Sequence, residues 1–93
     1  MSNIYTYLIQ DCNGLIKIGQ SKNVKKRIQQ LQTAHGKKLK LLAYCLADKY
    51  LEKRLHRMFF FHRKQGEWFD CSSEIKTTII NYMRERYPTT SYE

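Results

Sequence analysis

A chain of 93 residues holds one domain, and at this size folding buries only about 60–65% of the unfolded chain's surface, so the core must be economical. With 17 Lys and Arg against 8 Asp and Glu the formal charge is +9, more than solubility requires, and a polyanion is the expected partner, nucleic acid before an anionic membrane. No apolar run approaches the roughly 18 residues of a spanning helix, and Met1-Ser2-Asn3 runs straight into a strand pattern rather than a signal peptide.

In chain order, Ile4 to Gln10 alternates as a strand, with Ile4, Thr6 and Leu8 on one face and Tyr5, Tyr7 and Ile9 on the other. A second strand runs from Leu15 to Gly19. The turn between them decides which side chains share a face. A two-residue Asn13-Gly14 turn sets Tyr7 and Lys17 on opposite faces, whereas a three-residue loop, Cys12-Asn13-Gly14 with Gly14 left-handed, pairs Asp11 with Leu15 and brings Tyr7 diagonal to Lys17. The second register is the expected one, because it gathers Leu8, Ile16 and Ile18 into one apolar face and leaves the other for chemistry.

Ser21 or Asn23 can cap a helix running to about Thr33, with Val24, Ile28 and Leu31 as its apolar stripe and Arg27 at the edge of that stripe, about 60° from Val24. Lys22, Lys25 and Lys26 face water or a partner. The segment Ala34 to Lys38 ends the helix, and Leu39 to Leu46 reads as a third strand. From Asp48 to about Phe60 the pattern is helical again, with Leu51, Leu55, Met58 and Phe59 apolar and Glu52 and His56 one turn apart on a flank. Phe59-Phe60-Phe61 is the expected hinge into a loop from His62 to Gly66, followed by a short extended Glu67-Trp68-Phe69. Asp70 to Ser73 supplies caps for a last helix at about 73–87, which Pro88 stops, leaving 88–93 as a frayed tail. Cys12, Cys45 and Cys71 show neither disulfide nor zinc-ligand spacing, as expected of reduced thiols.

The Tyr5-Thr6-Tyr7 strand, the turn, the strand closing on Lys17-Ile18-Gly19, and Arg27 eight residues after that glycine together resemble the GIY-YIG nuclease module. Lys17 stands where the second name-giving tyrosine would be. Leu51-Glu52 with His56, then Gly66-Glu67-Trp68-Phe69, resemble the phage and bacterial subfamily with KIG in its second motif and a closing GEWF. The resemblance spans roughly residues 4–70 of a single domain of residues 1–93. It implies an α/β (α+β) fold, with a three-stranded, mostly antiparallel sheet flanked by about three helices.

It also implies metal-dependent DNA endonuclease activity. Phosphodiester hydrolysis needs a base for water, positive charge on the phosphoryl oxygens and commonly a divalent ion. By the resemblance Tyr7 is the base, Arg27 the phosphate clamp and Glu52 the ligand of one Mg²⁺ or Mn²⁺ ion. A free phenol is a poor base at neutral pH, and Lys17 is placed to favour its phenolate. His56 orients phosphate, donates a proton, or is an ordinary surface histidine; Tyr5 is the alternative base, and His35 a weaker candidate. Glu67 either supports the metal or joins a strand-edge ion pair. Trp68 and Phe69 are expected in the core. Two departures from the family pattern are Leu31, where many members carry Tyr or His, and the missing Asn after the metal carboxylate.

DNA is the expected partner, held through phosphates by Lys22, Lys25, Lys26, Lys37, Lys38 and Arg54. No small-molecule cofactor and no membrane partner are expected, the location is cytoplasmic, and the oligomeric state is left open between monomer and homodimer. The rival reading is a catalytically inactive basic DNA-binding module, and a third is a small RNA-binding protein.

Overall fold

The first hairpin is fixed by an aspartate and a glycine. In the computed structural model, which describes residues 3–59, 63–65, 68–69 and 73–92, strand β1 (Ile4–Gln10) pairs antiparallel with β2 (Ile16–Ser21). The Asp11 carboxylate accepts from the backbone N–H groups of Asn13 and Leu15, both at 2.9 Å. Gly14 takes φ +85°, a conformation that side chains disfavour. The loop is therefore the three-residue one. Tyr7 stands opposite Gly19 and Ile9 opposite Lys17, so Tyr7 and Lys17 share a face as diagonal neighbours.

Asn23 caps helix α1 (Val24–Ala34), accepting from the Lys26 N–H at 3.1 Å, while the Asn23 N–H donates to Ser21 Oγ. Strand β3 (Lys40–Ala47) pairs with the other side of β1. Helix α2 (Leu51–Met58) starts later than its apolar pattern suggests, because the Asp48 carboxylate takes the Tyr50 N–H at 2.7 Å and closes a turn first. Short strands β4 (Arg63–Gln65) and β5 (Trp68–Phe69) follow, then helix α3 (Ser73–Arg86) and strand β6 (Thr89–Ser91). The order β4-β5-β2-β1-β3-β6 is antiparallel at every pairing. The three expected strands are thus the centre of a wider sheet.

The tail corrects the expectation of fraying. Thr89–Ser91 pairs with Ala43–Cys45 of β3, and the Tyr92 N–H donates to the Leu42 carbonyl at 2.8 Å. Backbone bonds to an otherwise open edge hold it, and such bonds leave no hydrophobic pattern in the sequence. The expected hinge at Phe60 and Phe61, the loop ends His62 and Gly66, Glu67, and the capping residues Asp70, Cys71 and Ser72 lie outside the described residues.

Both faces of the sheet are covered. On one, Leu8, Ile16, Ile18, Leu42 and Phe69 pack with Leu51 and Leu55 of α2 and Ile79, Ile80 and Met83 of α3. On the other, α1 lays Val24, Ile28 and Leu31 over Tyr7, Ile9 and Leu39. Trp68 and Phe69, successive in β5, take opposite faces: Phe69 is fully buried in the larger cluster, while Trp68 is half-buried beside α1. Met58, expected on the apolar stripe of α2, is 48% exposed, and Phe59 is buried beyond it. Burial pushes the Cys45 thiol up to about 11, which keeps it protonated and inert. No described helix is long and apolar enough to cross a membrane.

Candidate functional site

The second half of β2 is where the chemistry-bearing side chains gather. Tyr7 is 1% exposed, and its phenol lies directly on Gly19. A Cβ at position 19 would collide with the Tyr7 oxygen, Cζ and Cε1, so only glycine lets the ring lie there. This burial differs from the open chemical face expected for Tyr7. The α1 stripe covers that face, and Tyr7 packs as part of the smaller core.

Glu52 and His56 come from the opposite layer. Strand β5 pairs with β2 at Ile16 and Lys17, and beyond that pairing His56 Nε2 donates to the Ile18 carbonyl at 2.9 Å. A carbonyl can only accept, so this ring nitrogen carries the proton. Glu52 Oε1 lies 3.7 Å from the same nitrogen, one helical turn away. The imidazole stands edge-on to Phe69, with centroids 5.0 Å apart and planes at 90°. Helix α2 therefore brings its one carboxylate–histidine pair to the outer edge of β2, next to the glycine on which Tyr7 lies.

Lys17 and Arg27 complete the surroundings from the α1 side. The Lys17 ammonium sits 5.7 Å from the centre of the Trp68 ring, a cation–π contact, and His35 stacks on Trp68 at 5.5 Å with planes 24° apart. The two flanks of α1 point different ways. Gln32, on the Lys25 side, binds the Leu39 N–H and the Lys37 carbonyl ahead of β3. Arg27 is half-buried on the other flank. Tyr7, Lys17 and Arg27 thus share one face, and Glu52 with His56 approaches the same strand around its edge.

The expected phosphate contacts divide. Lys22, Lys25 and Lys26 are exposed around the first turns of α1, and Lys37 and Lys38 are exposed in the connection to β3. Arg54 is committed elsewhere: its guanidinium binds the Tyr87 hydroxyl and pairs with Asp48 at 3.5 Å. Tyr87 in turn donates to Asp48 at 2.9 Å, and that bond, with the Tyr50 N–H and the Arg54 charge, holds the Asp48 carboxyl below the usual range. Burial raises Tyr87. These three side chains tie α2 and the end of α3 to the turn after β3.

For a metal, the described residues contain no group of three or more His, Cys, Asp or Glu side chains. At the edge of β2 the described residues offer the half-buried Glu52 carboxylate, since the His56 Nε2 is occupied by the Ile18 carbonyl. A lone hard-oxygen donor fits magnesium, which keeps several waters and takes phosphate oxygens, and does not fit a zinc cage.

The T5orf172 domain family matches residues 3–84. The chain belongs to this family. No curated protein and no solved structure matches the chain. The T5orf172 stretch takes in both helical layers and the whole of the β2 site, and it ends before β6 and Tyr92.

Two groups in this T5orf172 domain go beyond the sequence reading. Trp68 and His35 form the stacked platform beside Lys17, and the period-two alternation of Trp68 with Phe69 was the available signal. Tyr87 and Asp48, nearly forty residues apart, carry no sequence signal of their contact.

Proposed function

We infer that this T5orf172 domain is a metal-dependent DNA endonuclease of the GIY-YIG type, acting on phosphodiester bonds beside the second half of β2. The observation that carries the reading is the convergence of the Tyr7 phenol and the Glu52–His56 pair on the Ile18-Gly19 backbone from opposite layers of the sheet. A packing role explains either side alone; it gives no reason for a carboxylate to be held there. The nuclease-like character of the family supports the same reading.

In this proposal Tyr7 accepts the proton of the attacking water, with the Lys17 ammonium on the same face of the sheet. Arg27 neutralises the non-bridging oxygens as they gain charge. Glu52 holds one Mg²⁺ or Mn²⁺, which when bound supplies positive charge at the departing oxygen. His56, fixed by the Ile18 carbonyl, orients the Glu52 carboxylate. Lys22, Lys25, Lys26, Lys37 and Lys38 hold the DNA backbone, so affinity falls steeply between roughly 50 and 200 mM salt.

The deciding test is cleavage of plasmid and oligonucleotides with Mg²⁺ or EDTA. Glu52→Gln, which keeps the volume and removes the charge, is expected to lower cleavage at least about a hundredfold with DNA binding retained. Tyr7→Phe and Tyr5→Phe, side by side, identify the base. A wild-type protein that binds but never cuts supports the second reading, a DNA-binding module without activity, which the near-complete burial of Tyr7 favours.

A further inference from the structure

On the flank of α1 away from Arg27, a groove of about 510 Å³ runs between the helix and β3. Tyr5, Tyr44 and Tyr92 line it together with Ile28, and Lys22 and Lys25 stand at the helix end; none of its lining residues is acidic. Tyr5 and Tyr44 meet edge-on, with centroids 6.0 Å apart and planes at 72°. Tyr92, delivered by the strand that closes the sheet, is 58% exposed. A purely apolar ligand gains nothing from the two ammonium groups, and an acidic peptide gains little from the three rings. An unpaired nucleotide uses both, its base against the tyrosines and its phosphate against the lysines.

We propose that this groove binds an unpaired nucleotide of the substrate strand. Tyr5 and Tyr7 are two residues apart on the same face of β1, a distance of about 7 Å, so the groove and the site at β2 lie on the two sides of one helix. Bases inside a duplex are covered by their neighbours, and one can enter the groove only from a single strand, a flap or an extruded position. The substrate class is therefore nucleic acid with unpaired nucleotides. This rests on the nucleic-acid part of the proposed function and is independent of cleavage.

The test is binding in EDTA, by anisotropy, of a DNA strand of about 12 nucleotides, a length within the range of small single-strand binders, and of its duplex. A second strand carries 2-aminopurine, whose emission falls when the base stacks. The wild type is expected to bind the strand more tightly than the duplex and to quench the probe. Tyr92→Ser, at an exposed position, should weaken strand binding about fivefold and leave the duplex nearly unchanged. A probe that stays bright, equal affinity for strand and duplex, or unchanged strand affinity in Tyr92→Ser overturns the proposal. The Mg²⁺ cleavage assay reads the other inference separately: no cutting with the strand preference intact removes the nuclease and leaves the groove.

Discussion

The two faces of the sheet differ in what they bury. Beneath α2 and α3 the larger cluster has thirteen buried residues among those described, almost all aliphatic or aromatic without a polar tip. Beneath α1 the smaller one has four among the described residues, and it is surrounded by half-buried Tyr5, Tyr44 and Trp68 with lysines at its border. Apolar area removed from water scales with stability at about 25 cal/mol per Å², so the first face holds the domain together. The second can carry polar and cationic groups at modest cost, and three of the five residues singled out around β2, namely Tyr7, Lys17 and Arg27, stand on its side of the sheet. Glu52 and His56 are the exceptions. They use the rigidity of the large core to hold a carboxylate at the sheet edge.

That contrast can be broken by substitution, the larger effects first. Leu55→Ala, fully buried in the large cluster, is expected to cost about 2–5 kcal/mol, and Ile28→Ala, half-buried under α1, about half as much, both from urea unfolding. Equal losses would mean that the two faces contribute alike. Gly19→Ala forces a methyl group against the Tyr7 phenol and should cost about 1–3 kcal/mol. In a Tyr7→Ala background the same change should be nearly neutral, and a double-mutant cycle showing no coupling would deny the contact.

Smaller changes sharpen the comparison. Lys17→Met removes the ammonium beside Trp68 and should lower cleavage by about tenfold, about 1.4 kcal/mol of barrier, with little change in stability. Lys25→Met is the control and should alter binding only. A Lys17→Met cleavage rate equal to the wild type's would reduce Lys17 to a surface cation. The smallest effect is expected at Tyr87→Phe, which removes the hydroxyl that holds the Asp48 carboxyl low. A carboxylate with a depressed folded value stabilises at neutral pH, and that contribution is lost as pH falls through the acid range below about 4. The variant should melt slightly lower at pH 7 and show a shallower decline of Tm in acid. An acid limb identical to the wild type would place the sensitivity elsewhere.

Much of this domain is legible in its residues because the signals are local. Asp11 and Gly14 set the hairpin register, and period-two alternation then places Tyr7 beside Lys17; Asn23 starts α1, and the stripe from Val24 to Leu31 puts Arg27 at its edge. The placement of Glu52 and His56 one turn apart is equally local. The edge position of Met58 and the split of Trp68 from Phe69 depend on what packs against each, and the pattern of one segment carries no record of its neighbours.

By itself the sequence determined the charge, the hairpin register, and the order of central strands and helices, since each depends on composition or on residues within a turn or a few strand positions of one another. Only the tertiary structure decided that Tyr7 lies buried on Gly19, that His56 reaches around β2 to the Ile18 carbonyl, that Arg54 is bound by Asp48 and Tyr87, and that the last strand carries Tyr92 to a groove beside Tyr5. Those contacts join residues far apart in the chain, and they exist only once the larger core has fixed the distance between its layers.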